Sequence, residues 1–343
     1  MPKNIIFDKK NILVAGGAGF IGSHLCDELV KENKVICIDN FVSGEEQNID
    51  HLLKNPNFVF IKHDMTEPIN LDELPELEKF RVKFQGLQEI YDLACPTSPK
   101  FFENRVIETV LANSFGVKNA LELAVKHKAK YMLFSSSVVY GPRRVDLKRI
   151  DEQYYGYVNP IAPRACYDEG KRFAETLVST YKTAHNLDAK IVRIFRVYGS
   201  RMKFNQGHMI PDFVFNALEN KDLIIYGDED FTTSLCHVSD IISAVIKIMQ
   251  TGEAGPFNVG SELENKLVDV ANLIIKLTNS NSKITFQEPL LFMTPLGIPD
   301  ISLVKEKIGW FPVIRLEDGL KEVIDFVKAH KSLLRPEMTI DPF

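Results

Sequence analysis

The chain lacks any run of ~18 apolar residues, the length that a membrane-crossing helix requires. Its first stretch, MPKNIIFDKKNILVAGG, has apolar runs too short for a signal peptide. A soluble, cytoplasmic protein is expected. There is no run of basic residues with interleaved aromatics, and the formal charge of −5, from 41 Lys and Arg against 46 Asp and Glu, gives no field for a nucleic-acid backbone. Nucleic acid is not expected as a partner. The five cysteines (Cys26, Cys37, Cys95, Cys166, Cys236) never fall in CxxC spacing, which argues against a disulfide framework and a zinc site. They read as reduced thiols. Among eight histidines there is no HxH or HExxH pair, so His63, His208 and His237 read as loop or partner-bonded residues and no metal is expected. Repeats and low-complexity segments are absent too.

With 343 residues, 45% of them hydrophobic, the chain can bury a large core as one big domain or two ordinary ones. Short β-branched runs alternate with helical patterns through the first half, the signature of a parallel sheet with helices on both faces. Six strands are predicted: NILVA (11–15), KVICID (34–39), FVFIKHD (58–64), EIYDLA (89–94), KYMLFSS (130–136) and AKIVRIF (189–195). After Tyr198 the pattern turns irregular, with a helix at FVFNALEN, a short strand at LIIYG and a helix over 238–250. The final amphipathic stretch LEDGLKEVIDFVKAH puts Leu320, Val323, Ile324 and Val327 on one face, and the tail after Leu334 reads as loose. The expected fold is α/β, a Rossmann-type doubly wound parallel sheet with a smaller mixed α/β substrate lobe. Its cofactor domain spans 1–196, with 226–250 returning to it, and the substrate lobe takes 197–225 and 251–343.

GGAGFIG at 16–22 follows an apolar strand and opens a helix through His24 to Val30. Gly16 permits a tight turn, Gly19 lets a pyrophosphate approach the backbone, and Gly22 lets helix and strand pack closely, while helix N–H groups meet the anion. The second strand ends at Asp39, where a carboxylate accepts from ribose hydroxyls and repels a 2′-phosphate. With Asn40 and Phe41 following and no arginine nearby, NAD is favoured over NADP. Asp64 and Met65, ending the third strand, would lie beside the adenine.

Tyr167 and Lys171 in CYDEGK are four apart on a predicted helix and share a face. An ammonium there can lower the phenol's pKa and make Tyr167 a usable base, while Lys171 also reaches the nicotinamide ribose. SSSVVYG at 135–141 ends the fifth strand and lets Ser136 present its hydroxyl at the carboxyl edge of the sheet. Trp310 in KIGWFP reads as a core anchor of the second lobe.

Taken together, GGAGFIG, the strand-end serines before VYG, YxxxK and RIFxxYG resemble the extended short-chain dehydrogenase/reductase superfamily. Within it the chain is most similar to the UDP-glucuronate decarboxylases, through HDMTEP, IYDLACPTSP, YYGYVNPIAPRACYDEGKR, YGSRM and PDISLVKEKIGW. The resemblance implies catalysis by Tyr167, Lys171 and Ser136, and a cofactor shell that adds Phe20, Ile21, Leu93 and Ala94. It also implies a substrate shell of Pro96, Ser137, Val138, Asn159, Arg164, Arg196, His208 and Thr233. By the same analogy a homodimer is expected, through helices near 113–127 and 167–185. The implied chemistry is transient oxidation at C4 of a nucleotide sugar, with decarboxylation of the resulting β-keto acid.

The departures from the family's pattern gather on the substrate side. Val138 stands for a glutamate, Thr233 and His208 for arginines, Arg196 for an asparagine, and Gly297 and Ile298 for basic residues. One reading is drift with compensation, Arg196 carrying a positive charge to the phosphates; another is a changed substrate or reaction. A 4,6-dehydratase needs an acid/base pair that Ser137 and Val138 do not supply. A 4-epimerase, or a C4 dehydrogenase of another sugar nucleotide, needs only Tyr167, Lys171 and a hydroxyl. An NAD-binding homologue without turnover is the reading of another class.

Overall fold

In the computed structural model, which describes residues 9–98, 104–144, 146–204, 206–289 and 295–334, the β-branched runs form strands in the expected order. These are β1 (Asn11–Ala15), β2 (Lys34–Asp39), β3 (Phe58–Lys62), β4 (Glu89–Asp92), β5 (Lys130–Ser136) and β6 (Ala189–Ile194). Seven shorter ones follow: β7 (Val197–Tyr198), β8 (Leu223–Tyr226), β9 (Thr232–Ser234), β10 (Cys236–His237), β11 (Phe257–Val259), β12 (Glu264–Lys266) and β13 (Ile284–Gln287). The main sheet has seven strands in the order β11-β6-β5-β4-β1-β2-β3, every pairing parallel. Strand order reverses between β1 and β4, which opens a crevice at their carboxyl ends.

Because side chains alternate along a strand, the sheet supports two cores. Ile12 and Val14 pack with the helices Phe20–Leu29 and Val238–Gln250 on one face. Leu13 and Ala15 pack with Val117–His127 and Ala165–His185 on the other. A third core joins the helices Met209–Leu218, Leu267–Thr278 and Leu316–Leu334, where Leu320, Val323, Ile324 and Val327 are buried as their spacing predicts. Small two-stranded pairings, β13 with β8 and β12 with β9, complete this lobe. Among the described residues no helix is long and apolar enough to cross a membrane. The tail after Leu334 lies outside the described residues.

Two placements differ from the sequence expectation. Phe257–Val259 falls within 251–343, the range assigned to the smaller lobe, yet pairs with β6 as the seventh strand of the main sheet. At three residues β11 is too short to show a period. Trp310, with Ile301 and Val304, packs into the core that β11 shares with the main sheet, rather than anchoring the second lobe. The chain thus returns to the main sheet twice, once through the helix Val238–Gln250 and once through β11.

Candidate active site

A cavity of about 440 Å³ lies along the carboxyl ends of the main strands. At one end the turn after β1 is forced into a form that suits a dinucleotide. Gly16 holds φ at +78°, and a Cβ there would stand 2.8 Å from the Leu93 backbone. A Cβ on Gly22 would lie 2.2 Å from the Gly16 carbonyl oxygen, so only glycine lets the helix start this close to the strand. Asp39 sits at the cavity wall, its carboxylate accepting from the N–H groups of Ala18 at 3.0 Å and Phe41 at 2.8 Å. Each oxygen keeps a further lone pair for a ribose hydroxyl. Burial raises its pKa, and the two backbone N–H groups oppose that. Asn40 donates to Asp64 at 2.9 Å, joining the ends of β2 and β3. Phe20, Ile21, Met65, Leu93 and Ala94 complete this end. The glycine cradle and the acceptor at Asp39 fit NAD.

At the other end the helix Ala165–His185 brings Tyr167 and Lys171 to the wall, both more than nine-tenths buried. Ser136 faces them from the end of β5, within hydrogen-bond reach of the phenol. Burial drives the Tyr167 pKa well above its ordinary value and the Cys95 thiol adds to this, while Ser136 and Arg164 pull it down. The expected influence of Lys171 is not among these leading causes. Its ammonium instead donates to the Phe134 carbonyl at 3.0 Å, with Asp92 and Cys95 in its field. The cation that acts most on the phenol is therefore Arg164, three residues before it.

Pro96, Ser137, Val138, Arg164, Arg196 and His208 also line the cavity. Val138 is buried against Tyr167 with Cys95, Cys166 and Leu296, so the position is an apolar wall. Arg164 pairs with Asp168 at 3.0 Å. Arg196 has no carboxylate partner among the described residues, and burial with the nearby Arg164 charge pulls its pKa down to about 10. His208 stands at the N-cap position of the helix Met209–Leu218 without a side-chain bond to it, and burial and Arg196 lower its pKa to about 4. It is neutral at neutral pH.

Two expected substrate residues are placed off the wall. Thr233 is buried within β9, opposite Asn265 of β12, and its hydroxyl donates to the Ser234 carbonyl. Asn159 is exposed and caps its own turn, accepting from the Ile161 N–H at 3.1 Å. Their sequence neighbourhood carried them to the site, and Leu235, two residues beyond Thr233, does line the cavity, but Thr233 and Asn159 themselves do not. Conversely, Arg201, Lys203 and Gln206 line the cavity without having been singled out. Arg201 pairs with Asp27 at 2.8 Å and Lys203 with Glu45 at 3.2 Å. The only signal was the YGSRM segment, since a loop has no period to read.

Residues 12–260 match the NAD dependent epimerase/dehydratase family. The chain is 36% identical to UDP-glucuronic acid decarboxylase 1 of Xenopus tropicalis, over 94% of this chain and 73% of that one. It superposes on UDP-glucose 4-epimerase of Thermotoga maritima with a TM-score of 0.81 at 25% identity, covering 94% of this chain and 99% of that one. UDP-glucuronic acid 4-epimerase of Bacillus cereus, solved with UDP-glucuronic acid and NAD, gives 0.79 at 26% identity, over 93% and 99%. With the glycine cradle, Asp39 and the Tyr167–Ser136–Lys171 wall in one crevice, the chain belongs to the NAD-dependent epimerase/dehydratase family, the extended short-chain dehydrogenases/reductases, as an enzyme that uses NAD.

Proposed function

We propose that the protein oxidises C4 of UDP-glucuronate transiently and releases CO₂ to form a UDP-pentose. The observation that carries this reading is Arg196, a half-buried guanidinium with no acid partner among the described residues, set beside Arg164 on the wall that holds Tyr167. Such a wall suits a substrate that brings its own negative charges. NAD, when bound, supplies the hydride acceptor. Tyr167 takes the proton of the 4-hydroxyl as C4 loses hydride, and Ser136 holds that oxygen. The 4-ketone makes the C6 carboxylate a β-keto acid, so CO₂ leaves with its electrons delocalised onto O4; C5 then takes up a proton, C4 takes its hydride back, and Tyr167 returns the proton to O4, which gives the UDP-pentose with no net oxidation. No base is needed at C5, which agrees with an apolar Val138 in place of an acid.

A 4-epimerase is the second reading, favoured by the same apolar wall. Epimerisation uses only Tyr167, Lys171 and a hydroxyl, and Val138 leaves room for the ketose to turn. Incubation with NAD and a panel of sugar nucleotides separates the two by product NMR and NADH absorbance. A UDP-pentose with CO₂ supports the first reading; an inverted C4 replaces it with the second. Stoichiometric NADH would mean net oxidation.

A homodimer is part of the proposal, through the helices near 113–127 and 167–185, with the adjoining helix Val106–Leu111 added to that face. Ile107, Val110, Phe115 and Phe173 expose apolar surface there. The unbridged cysteines suit a reducing compartment such as the cytoplasm.

A further inference from the structure

Arg193 takes no part in the chemistry above, yet it holds both halves of the catalytic wall. It is the register partner of Ser135 across β5 and β6, so both side chains leave the sheet on the same face. That face carries the helix of Tyr167 and Lys171. One turn beyond Lys171, Glu175 descends between them. Its Oε1 accepts from Ser135 Oγ at 2.6 Å and from Arg193 Nε at 2.9 Å, and its Oε2 accepts from Arg193 Nη2 at 2.7 Å. This is a two-pronged guanidinium–carboxylate pair, with both side chains only 13% exposed.

The same guanidinium reaches the other half. Arg193 Nη1 donates to the Tyr140 hydroxyl at 2.8 Å, and its central carbon lies 4.8 Å from the centroid of that ring. Tyr140 closes the tight turn Ser137–Tyr140, which begins directly after Ser136 and carries Val138. The Tyr140 hydroxyl in turn donates to Asn258 of β11 at 2.7 Å. A single cation therefore ties the helix of the base to the turn of the hydroxyl that faces it.

We propose that Arg193, through Glu175 and Tyr140, is a positioning residue that sets the approach of Tyr167 to Ser136. The inference rests on the reading of Tyr167 and Ser136 as the C4 oxidation pair. Lysine in its place keeps the charge but loses the fork, so the helix and the turn are no longer registered against each other.

The test uses the full chain with NAD. Arg193→Lys is expected to lower kcat on the sugar nucleotide that the wild type turns over by about 10²-fold, the cost of a misplacement near 1 Å, with KM and NAD affinity unchanged. Tyr140→Phe, which cuts the arm to the turn and the bond to Asn258 but leaves the Glu175 fork intact, should lower kcat by less. A second readout needs no substrate: the ¹³C shift of the Tyr167 ring carbon bearing oxygen, assigned with Tyr167→Phe. Arg193→Lys should move it in the direction that Ser136→Ala does. If both variants lose melting temperature but keep the wild-type kcat and resonance, Arg193 is a stabilising residue and the proposal is overturned. If the wild type turns over none of the sugar nucleotides, the C4 reading fails on its own, and the resonance still decides whether Arg193 sets the Tyr167–Ser136 contact. Should Arg193→Lys not fold, Tyr140→Phe and Glu175→Gln carry the same two measurements.

Discussion

Tyr167, the base in the proposed reaction, sits in an environment that favours its proton, and this sets how activity should depend on pH. Burial against Val138 and Cys95 raises its pKa above the ordinary 10, and the Ser136 hydroxyl is the leading influence that lowers it. Activity should therefore climb with pH on its acid limb. Ser136→Ala removes a bond that favours the phenolate, so the limb should move further to the alkaline side. A limb that stays in place in a kcat/KM profile would show that the serine does not act on the base. Tyr167→Phe should lower C4 turnover by about 10²–10⁴-fold, the usual contribution of a positioned base, as read by product NMR. His208 titrates in the opposite sense. Its pKa falls from the ordinary 6.5 to about 4 in the fold, with burial as the larger cause and Arg196 the second. Between those values the unfolded chain binds a proton that the folded chain refuses, so stability should fall as pH drops from about 6.5 to about 4. His24 and His237, also lowered by burial, add to this slope. His208→Gln should make the melting temperature less steep across that window; an unchanged slope would exclude His208 as a contributor.

At the scale of elements, the junction of β1 with the helix Phe20–Leu29 is the most constrained place in the cofactor site. The Cβ of Gly22→Ala would meet the Gly16 carbonyl oxygen at 2.2 Å and the Gly17 Cα at 2.8 Å. Both obstacles are backbone, so the helix must shift away from the strand and carry its N–H groups with it. The variant should lose NAD affinity by at least about tenfold in a fluorescence titration, consistent with loss of close approach at a dinucleotide turn. Retained affinity would mean that the turn has more freedom than its contacts suggest. The strands at this site were legible because each is a short run of four to seven residues with apolar side chains at its centre. β11 was not, since its three residues gain their identity only by pairing with β6.

At the scale of the whole molecule, the main sheet and the third core border a common cavity, and an apolar face is left on the outer side of the helix Ala165–His185. Ile107 is 67% exposed and Phe115 56%, with Phe173 nearby on the helix that carries Tyr167. An association that covers this face would brace that helix from behind. Ile107→Glu combined with Phe173→Asp should therefore convert a dimer to a monomer in light scattering, with a fall in turnover. A dimer that persists through both substitutions would place the interface elsewhere.

By itself the sequence determined the parallel sheet, the tight glycine turn after β1 and the shared helix face of Tyr167 and Lys171. These depend on residue type at short spacing: glycine where backbone approaches backbone, alternation in strands, and a four-residue step on a helix. Tertiary structure alone decided which distant residues share the wall. Thr233 left it because β9 pairs away from the cavity, and Arg201, Lys203 and Gln206 reached it on a loop. It also decided the electrostatics of the base. Lys171, close in sequence, points to the Phe134 carbonyl, and the influences that favour the phenolate come from Ser136 and Arg164. The physical reason is range: spacing along one element fixes which residues share a face, but burial and charge depend on every element packed around them.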